Sequence, residues 1–198
     1  MQHISFSFSF IILVLTISHQ TASSVLINPT SPSDIINQTC KKCADKSSVF
    51  SYSFCSASLK AVPVSRAITN LQGLALVAME LAIENATSTI SAIKQLLGNE
   101  TPAPFDPLSS RCLEDCLELY SDGVETLVGA MVAFLGERYD TARVWLSAVM
   151  DAAETCEEGF KEMGREAVNP LETENYRLFQ LCDIALCIGH LLTSHEGL

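Results

Sequence analysis

The chain of 198 residues carries 23 acidic against 12 basic side chains, a formal net charge of −11 and a pI near 4.7. A balance this acidic argues against nucleic acid and against an anionic polysaccharide as direct ligands, and it favours a basic protein partner. Eight cysteines in so short a chain point to a compartment where disulfides persist.

The chain opens with "MQHISFSFSFIILVLTISHQTASS", which contains no Asp, Glu, Lys or Arg. Its apolar run from Ile4 to Ile17, followed by the small residues Ala22, Ser23 and Ser24, reads as a secretory signal peptide over residues 1–24. A membrane anchor is the rival reading, but a span needs about 20 apolar residues. No later segment is long and apolar enough to cross a bilayer. The mature chain, about 174 residues, is expected to be soluble, secreted and a single domain with its own core.

The next stretch, "TCKKCADKSSVFSYSFC" from Thr39 to Cys55, holds three cysteines. Cys40 and Cys43 have zinc-like spacing, yet no second C-x2-C pair and no H-x3-H follows. A disulfide staple is therefore expected, with Cys40 and Cys55 flanking a turn at "DKSS". Residues 25–64 form this stapled hairpin, and residues 65–198 form the rest of the fold.

From Ser65 the apolar residues Ile68, Leu71, Ala75, Ala78, Ala82, Ile90, Ile93 and Leu97 recur at helical spacing up to Gly98. That run predicts a helix of about 50 Å. The prolines of "NETPAPFDP" break it, and Asp106-Pro107 supplies a cap and first-turn proline for a second helix running to Leu135, with Gly136 as its stop. A third helix starts near Asp140 and Thr141 and carries Ala142, Trp145, Val149, Ala152, Cys156 and Phe160 before Gly164. A fourth spans about 174–193, with Phe179, Cys182, Ala185, Ile188 and Leu192 on its stripe. Four amphipathic helices with short links predict an all-α, up-and-down four-helix bundle.

In the antiparallel pair turning at Gly136, Cys116 and Cys156 are equidistant from the turn. They should therefore lie at one height and pair, closing a loop that stabilises the fold by roughly 4 kcal/mol in the chain-entropy model. Cys43, Cys112, Cys182 and Cys187 are left unassigned. Buried thiols and further bridges both fit them, although Cys182 and Cys187 are about 140° apart on one helix and do not face each other.

The blocks "TCKKCADKSSVFSYSFC", "NLQGLALVAMELAI", "RCLEDCLELYSDGVETL" and "YDTARVWLSAVMDAAETCEEGF" together resemble the plant invertase and pectin methylesterase inhibitor family across essentially the whole mature chain. Within it the chain is especially similar to secreted pollen allergens provisionally described as invertase inhibitors. The resemblance implies a four-helix bundle preceded by a short α-helical hairpin. It also implies one disulfide in the hairpin (Cys40–Cys55) and one between the second and third bundle helices (Cys116–Cys156). It implies a location in the apoplast or cell wall, and a protein partner: pectin methylesterase or an invertase.

Invertase inhibitors of the family commonly carry Pro-Lys-Phe between the second and third bundle helices. Here that stretch is "GERYDTA", with Arg138 and Tyr139 as a cation and an aromatic but no proline. "YDTARVWLSAV" more closely resembles the corresponding helix of the pectin methylesterase inhibitors, which dock bundle helices across the esterase cleft. The target-binding candidates are therefore Asp115, Asp122, Glu125 and Thr155 on the helices, with Arg138, Tyr139 and Asp140 at the connection. Each also has a purely structural reading: Asp140 as a helix cap, Tyr139 as packing over the turn, Thr155 as a helix hydroxyl beside a disulfide.

Nothing in the chain suggests catalysis. Past the signal only His190 and His195 remain, both near the C-terminus, and no G-x-S-x-G, H-E-x-x-H or phosphate-cradling glycine loop occurs. Glu114-Asp115 and Glu157-Glu158 are sequence neighbours, about 100° apart on a helix, and read as solvated charge. No cofactor and no metal site is expected. Three glycosylation sequons stand at Asn37, Asn85 and Asn99, the second on the polar side of the long helix, while Asn28 is blocked by its proline.

Overall fold

The computed structural model describes residues 31–98, 107–162 and 169–194. Every regular element among them is helical: α1 (Pro32–Ala44), α2 (Tyr52–Ala61), a 3-10 turn (Pro63–Ala67), α3 (Leu71–Leu97), α4 (Pro107–Leu135), α5 (Tyr139–Glu162) and α6 (Glu172–Thr193). Helices α3 to α6 form the bundle, each packing on two neighbours, so that α3–α4, α4–α5, α5–α6 and α6–α3 close a square. Helices α1 and α2 form the hairpin, which leans on α3 and α6. The signal, the sequon at Asn99, the cap at Asp106, Gly164 and His195 lie outside the described residues.

The bundle forms because its apolar positions alternate at three and four residues. On α4 the buried residues include Leu113, Cys116, Tyr120, Gly123, Leu127, Ala130 and Phe134, the spacing that keeps one stripe facing a neighbour. On α3 the stripe is made largely of Ala75, Ala78, Ala82 and Ala86, all fully buried. Small side chains let that helix approach α4 and α6 closely.

Three helix starts differ from expectation. The first bundle helix begins at Leu71, not Ser65, because Asn70 caps it: Asn70 Oδ1 accepts the Gly73 N–H at 2.7 Å. The third begins at Tyr139, so Asp140 lies inside the first turn and is not its cap. Helix α6 begins at Glu172, two residues earlier than read. At the α4 C-terminus, Arg138 N–H donates to Ala133 O at 2.9 Å and Glu137 N–H to Phe134 O at 3.1 Å. This is a Schellman ending. The left-handed residue is Glu137, with φ 57°, rather than the expected Gly136.

The α4–α5 register is the one that equal legs predict. Cys116 and Cys156 are bonded, with Cα atoms 5.1 Å apart. Cys112 Sγ donates to Gly159 O at 3.5 Å, and Gly129 faces Trp145 nearer the turn so closely that a Cβ would lie 2.5 Å from the indole. Cys40 and Cys55 are bonded across the hairpin. A third bridge, Cys43–Cys187, joins α1 to α6 and was not foreseen. Around it, Ser47 Oγ donates to Asp183 at 2.8 Å, and Tyr176 Oη and Gln180 Nε2 both donate to Val49 O. The hairpin turn is thus fastened to α6.

Glu157 also departs from its reading as solvated charge. Its carboxylate is mostly buried, accepts from Asn169 Nδ2 and from Asn175 Nδ2 at 3.0 Å, and pairs with Lys161 at 3.5 Å. Asn175 in turn accepts from the buried Tyr120 hydroxyl at 2.8 Å. Glu158 is exposed, as expected.

Three measurements test these contacts. Removing the third bridge in Cys43→Ala/Cys187→Ala should cost on the order of 4 kcal/mol, since it closes a long loop, and should speed amide exchange in α1 and α2; unchanged exchange there would show that the bridge does not hold the hairpin. Gly129→Ala should lose about 1–2 kcal/mol by overpacking and red-shift the emission of Trp145, the chain's one tryptophan. Glu137→Gly should gain about 0.5–1 kcal/mol in urea unfolding by relieving the left-handed backbone.

Candidate functional site

Asp115, Asp122 and Gly129 are spaced by seven residues on α4, so they return to nearly the same direction. That direction is the outer side of the seam with α5, because Gly129 sits under Trp145. Asp115, Asp122 and Glu125 are all exposed. On α5, Thr155 precedes the bridged Cys156 and is also exposed, and helical spacing puts it on the same outer side with Ala148. The structure therefore gathers Asp115, Asp122 and Thr155 along one rigid seam, with Glu125 at its margin. Thr155 Oγ1 donates to Asp151 O at 2.8 Å, so its hydroxyl hydrogen is spent within its own helix.

Trp145 belongs to this seam and was missed. Its place on the apolar stripe of α5 read as core, yet it is 38% exposed. Gly129 has no side chain to cover it, and the six-membered ring of the indole rests against the backbone of α4 there. The glycine opposite, found by counting back from the turn, was the available signal. Val132, three residues beyond Gly129 on α4, is also exposed. The result is an apolar area beside a row of carboxylates.

The connection residues lie apart from that seam. Tyr139 is half-buried and meets Phe134 edge to face, with centroids 5.0 Å apart at 73°, which is the packing role. Arg138 is exposed, and Asp140 pairs with Arg143 at 3.0 Å in full solvent. Together Arg138, Tyr139, Arg143, Leu186 and His190 border a hollow of about 290 Å³ that opens toward the end of α6. The seven candidates thus form two patches, one along the seam and one at its end.

The remaining candidates have clear placements. Asn37 is half-buried on α1, its Oδ1 accepting from Lys60 Nζ at 2.7 Å and from Tyr52 Oη at 3.2 Å. Asn85 is half-buried on α3: its Oδ1 is buried without a hydrogen bond among the described residues, and the residue borders a hollow shared with Leu181 and Arg177 of α6 and Ser58 of α2. Cys112 and Cys182 remain thiols. Burial, then the charge of Asp183, pushes the Cys182 thiol up to about 12, which keeps it protonated and unreactive. Burial and then Glu174 raise Tyr120 in the same direction, so neither group supplies a nucleophile. Among the described residues no three His, Cys, Asp or Glu side chains converge as metal ligands.

A bundle of this architecture has counterparts among known proteins. A crystal structure of a mutant pectin methylesterase inhibitor from Arabidopsis superposes with a TM-score of 0.64 at 24% identity, covering 78% of this chain and 97% of the other. That likeness speaks for the fold. A protein of Platanus acerifolia, provisionally named an invertase inhibitor, is 36% identical over 168 residues, 85% of this chain and 90% of its own. A pectinesterase inhibitor of Actinidia deliciosa is 28% identical over 183 residues, 92% of each chain. The family model for plant invertase/pectin methylesterase inhibitors matches residues 34–188, and the chain belongs to that family.

Proposed function

We propose that the chain is a secreted, non-catalytic inhibitor that forms a stoichiometric complex with pectin methylesterase in the plant cell wall. The observation that carries this reading is the α4–α5 seam. There the row of Asp115, Asp122 and Glu125 flanks an exposed Trp145, on two helices locked by Cys116–Cys156. Exposed tryptophan beside charge is the composition of interface hot spots. A bridge across the seam lowers the entropy lost when a partner docks. Residues 1–24 and three disulfides support export, and no helix among the described residues is long and apolar enough to cross a membrane.

An invertase is the second reading, and one feature favours it. Arg138 is presented in solvent at the α4–α5 connection, where invertase inhibitors of the family present a cation. The missing proline and the packed ring of Tyr139 keep this reading second.

The test titrates the oxidised mature chain into a pectin methylesterase and, in parallel, an acid invertase at mildly acidic pH. Loss of esterase activity near equimolar ratio is expected. Trp145→Ala should then weaken inhibition roughly 10- to 100-fold while helicity stays unchanged, and Asp122→Lys should slow association. Loss of invertase activity alone would move the site to Arg138 and its hollow. If a folded chain inhibits neither enzyme, the inhibitor reading is wrong and the bundle serves another role.

A further inference from the structure

The net charge of −11 conceals a segregation. Between residues 31 and 68 stand Lys41, Lys42, Lys46, Lys60 and Arg66 against only Asp34 and Asp45. The hairpin is therefore a cationic unit of +3 on an otherwise strongly acidic molecule. Its outer face carries two hollows. One, of about 410 Å³, is bordered by Ser31, Ser33, Lys60, Ser65 and Arg66. The other, of about 460 Å³, is bordered by Asn37, Gln38, Lys41 and Tyr52. Among the described residues no carboxylate borders either.

The two hollows adjoin. Lys60 of the first donates to Asn37 of the second at 2.7 Å, and Tyr52 donates to the same oxygen. The face therefore presents cations, side-chain amides, hydroxyls and an aromatic ring in one continuous strip. Tyr52 is 44% exposed, and its hydroxyl bond holds the ring in place.

We infer that this strip is a docking groove for a polyuronate, a chain of pyranose rings that each bear one carboxylate. Regular negative charge calls for cations set apart along the groove, and Lys41, Lys60 and Arg66 supply them. Arginine and lysine both pair with carboxylate, the first through its planar fork. Ring hydroxyls call for polar side chains, and the first hollow offers the serines Ser31 and Ser33 while the second offers the amides Asn37 and Gln38. The flat apolar face of a pyranose calls for an aromatic ring with a polar tip. An acidic protein surface would use the cations but would have no use for the amides beside an exposed tyrosine. The net charge of the whole chain does not decide binding at this face, because the screening length at ordinary ionic strength is about 10 Å and a ligand there senses mainly the nearby cations of the hairpin. The inference stands whichever enzyme is inhibited. It also gives Asn37 a role that excludes a glycan, which would fill the groove.

The test measures binding of the full mature chain, made without N-glycosylation, to polygalacturonate in the presence of a chelator, so that calcium cannot bridge the acidic bundle to the polymer. Binding that weakens with salt and is lost on methyl-esterified polymer is expected. Lys60→Gln/Arg66→Gln should weaken it at least tenfold, whereas Lys161→Gln/Arg177→Gln, an equal loss of charge on the bundle, should not. Tyr52→Ala should weaken it with the salt dependence unchanged. Equal affinity for polyglutamate would overturn the inference in favour of a general anion surface. So would an equal loss in the bundle variant, absence of binding, or a glycan on Asn37 of the native protein.

Discussion

The register of α4 against α5 is the constraint on which the rest of the structure depends. It is set at three heights by three chemistries: the Cys112–Gly159 contact, the Cys116–Cys156 bond and the seat of Trp145 on Gly129. A slip of one residue would rotate each contact by about 100°. The bond would break, and the indole would meet side chain where it now meets backbone. Because α4 and α5 are each locked, α3 and α6 can pack against them with small and branched residues and need no polar registry device of their own. The exception is the Tyr120–Asn175–Glu157 chain, which crosses from α4 through α6 to α5. Every polar group in it has a partner, so the mostly buried Glu157 carboxylate escapes the penalty of an unpaired charge.

The hairpin depends on the same frame at one remove. On its own it is two helices of 13 and 10 residues, too short to hold shape in water without packing. Its inner faces supply Ile35, Ile36, Phe50 and Leu59 to the common core, and Cys43–Cys187 with the Val49 carbonyl bonds fasten its turn to α6. This explains why α6 buries Asn175, Gln180 and Cys182 beyond a single stripe: it is covered by α3 and α5 from the bundle and by α1 from the hairpin.

Much of this was legible in the sequence because it rests on periodicity and on counting. Stripes at three and four residues located four bundle helices, and equal distance from Gly136 located a disulfide. What could not be read depends on neighbours that are remote along the chain. Cys43–Cys187 spans 144 residues, and no local rule joins a turn on α1 to a position on α6. Glu157 looked solvent-facing because helical spacing reports only one helix's own faces. Its burial comes with Asn169 and with Asn175 of α6, which spacing cannot see. Trp145 departs in the opposite sense: an apolar residue on an apolar stripe is partly exposed, seated on the bare backbone at Gly129.

The candidate sites follow the same division. Composition reduces the chain to one number, −11, which matches the acidic seam but hides the opposite sign of the hairpin. The acidic seam lies between α4 and α5, while the hairpin leans on α3 and α6, the opposite edge of the square. A partner on the seam and a polymer on the hairpin would therefore not compete for space. If the esterase reading holds, its product is a polyuronate, since removing methyl esters leaves carboxylates along the chain. An inhibitor held on that product by its hairpin would face the enzyme with its free seam, at a local concentration set by the polymer rather than by diffusion. The two charge signs on one small bundle would then serve one task, with the cationic face choosing where the inhibitor waits and the acidic face choosing what it stops.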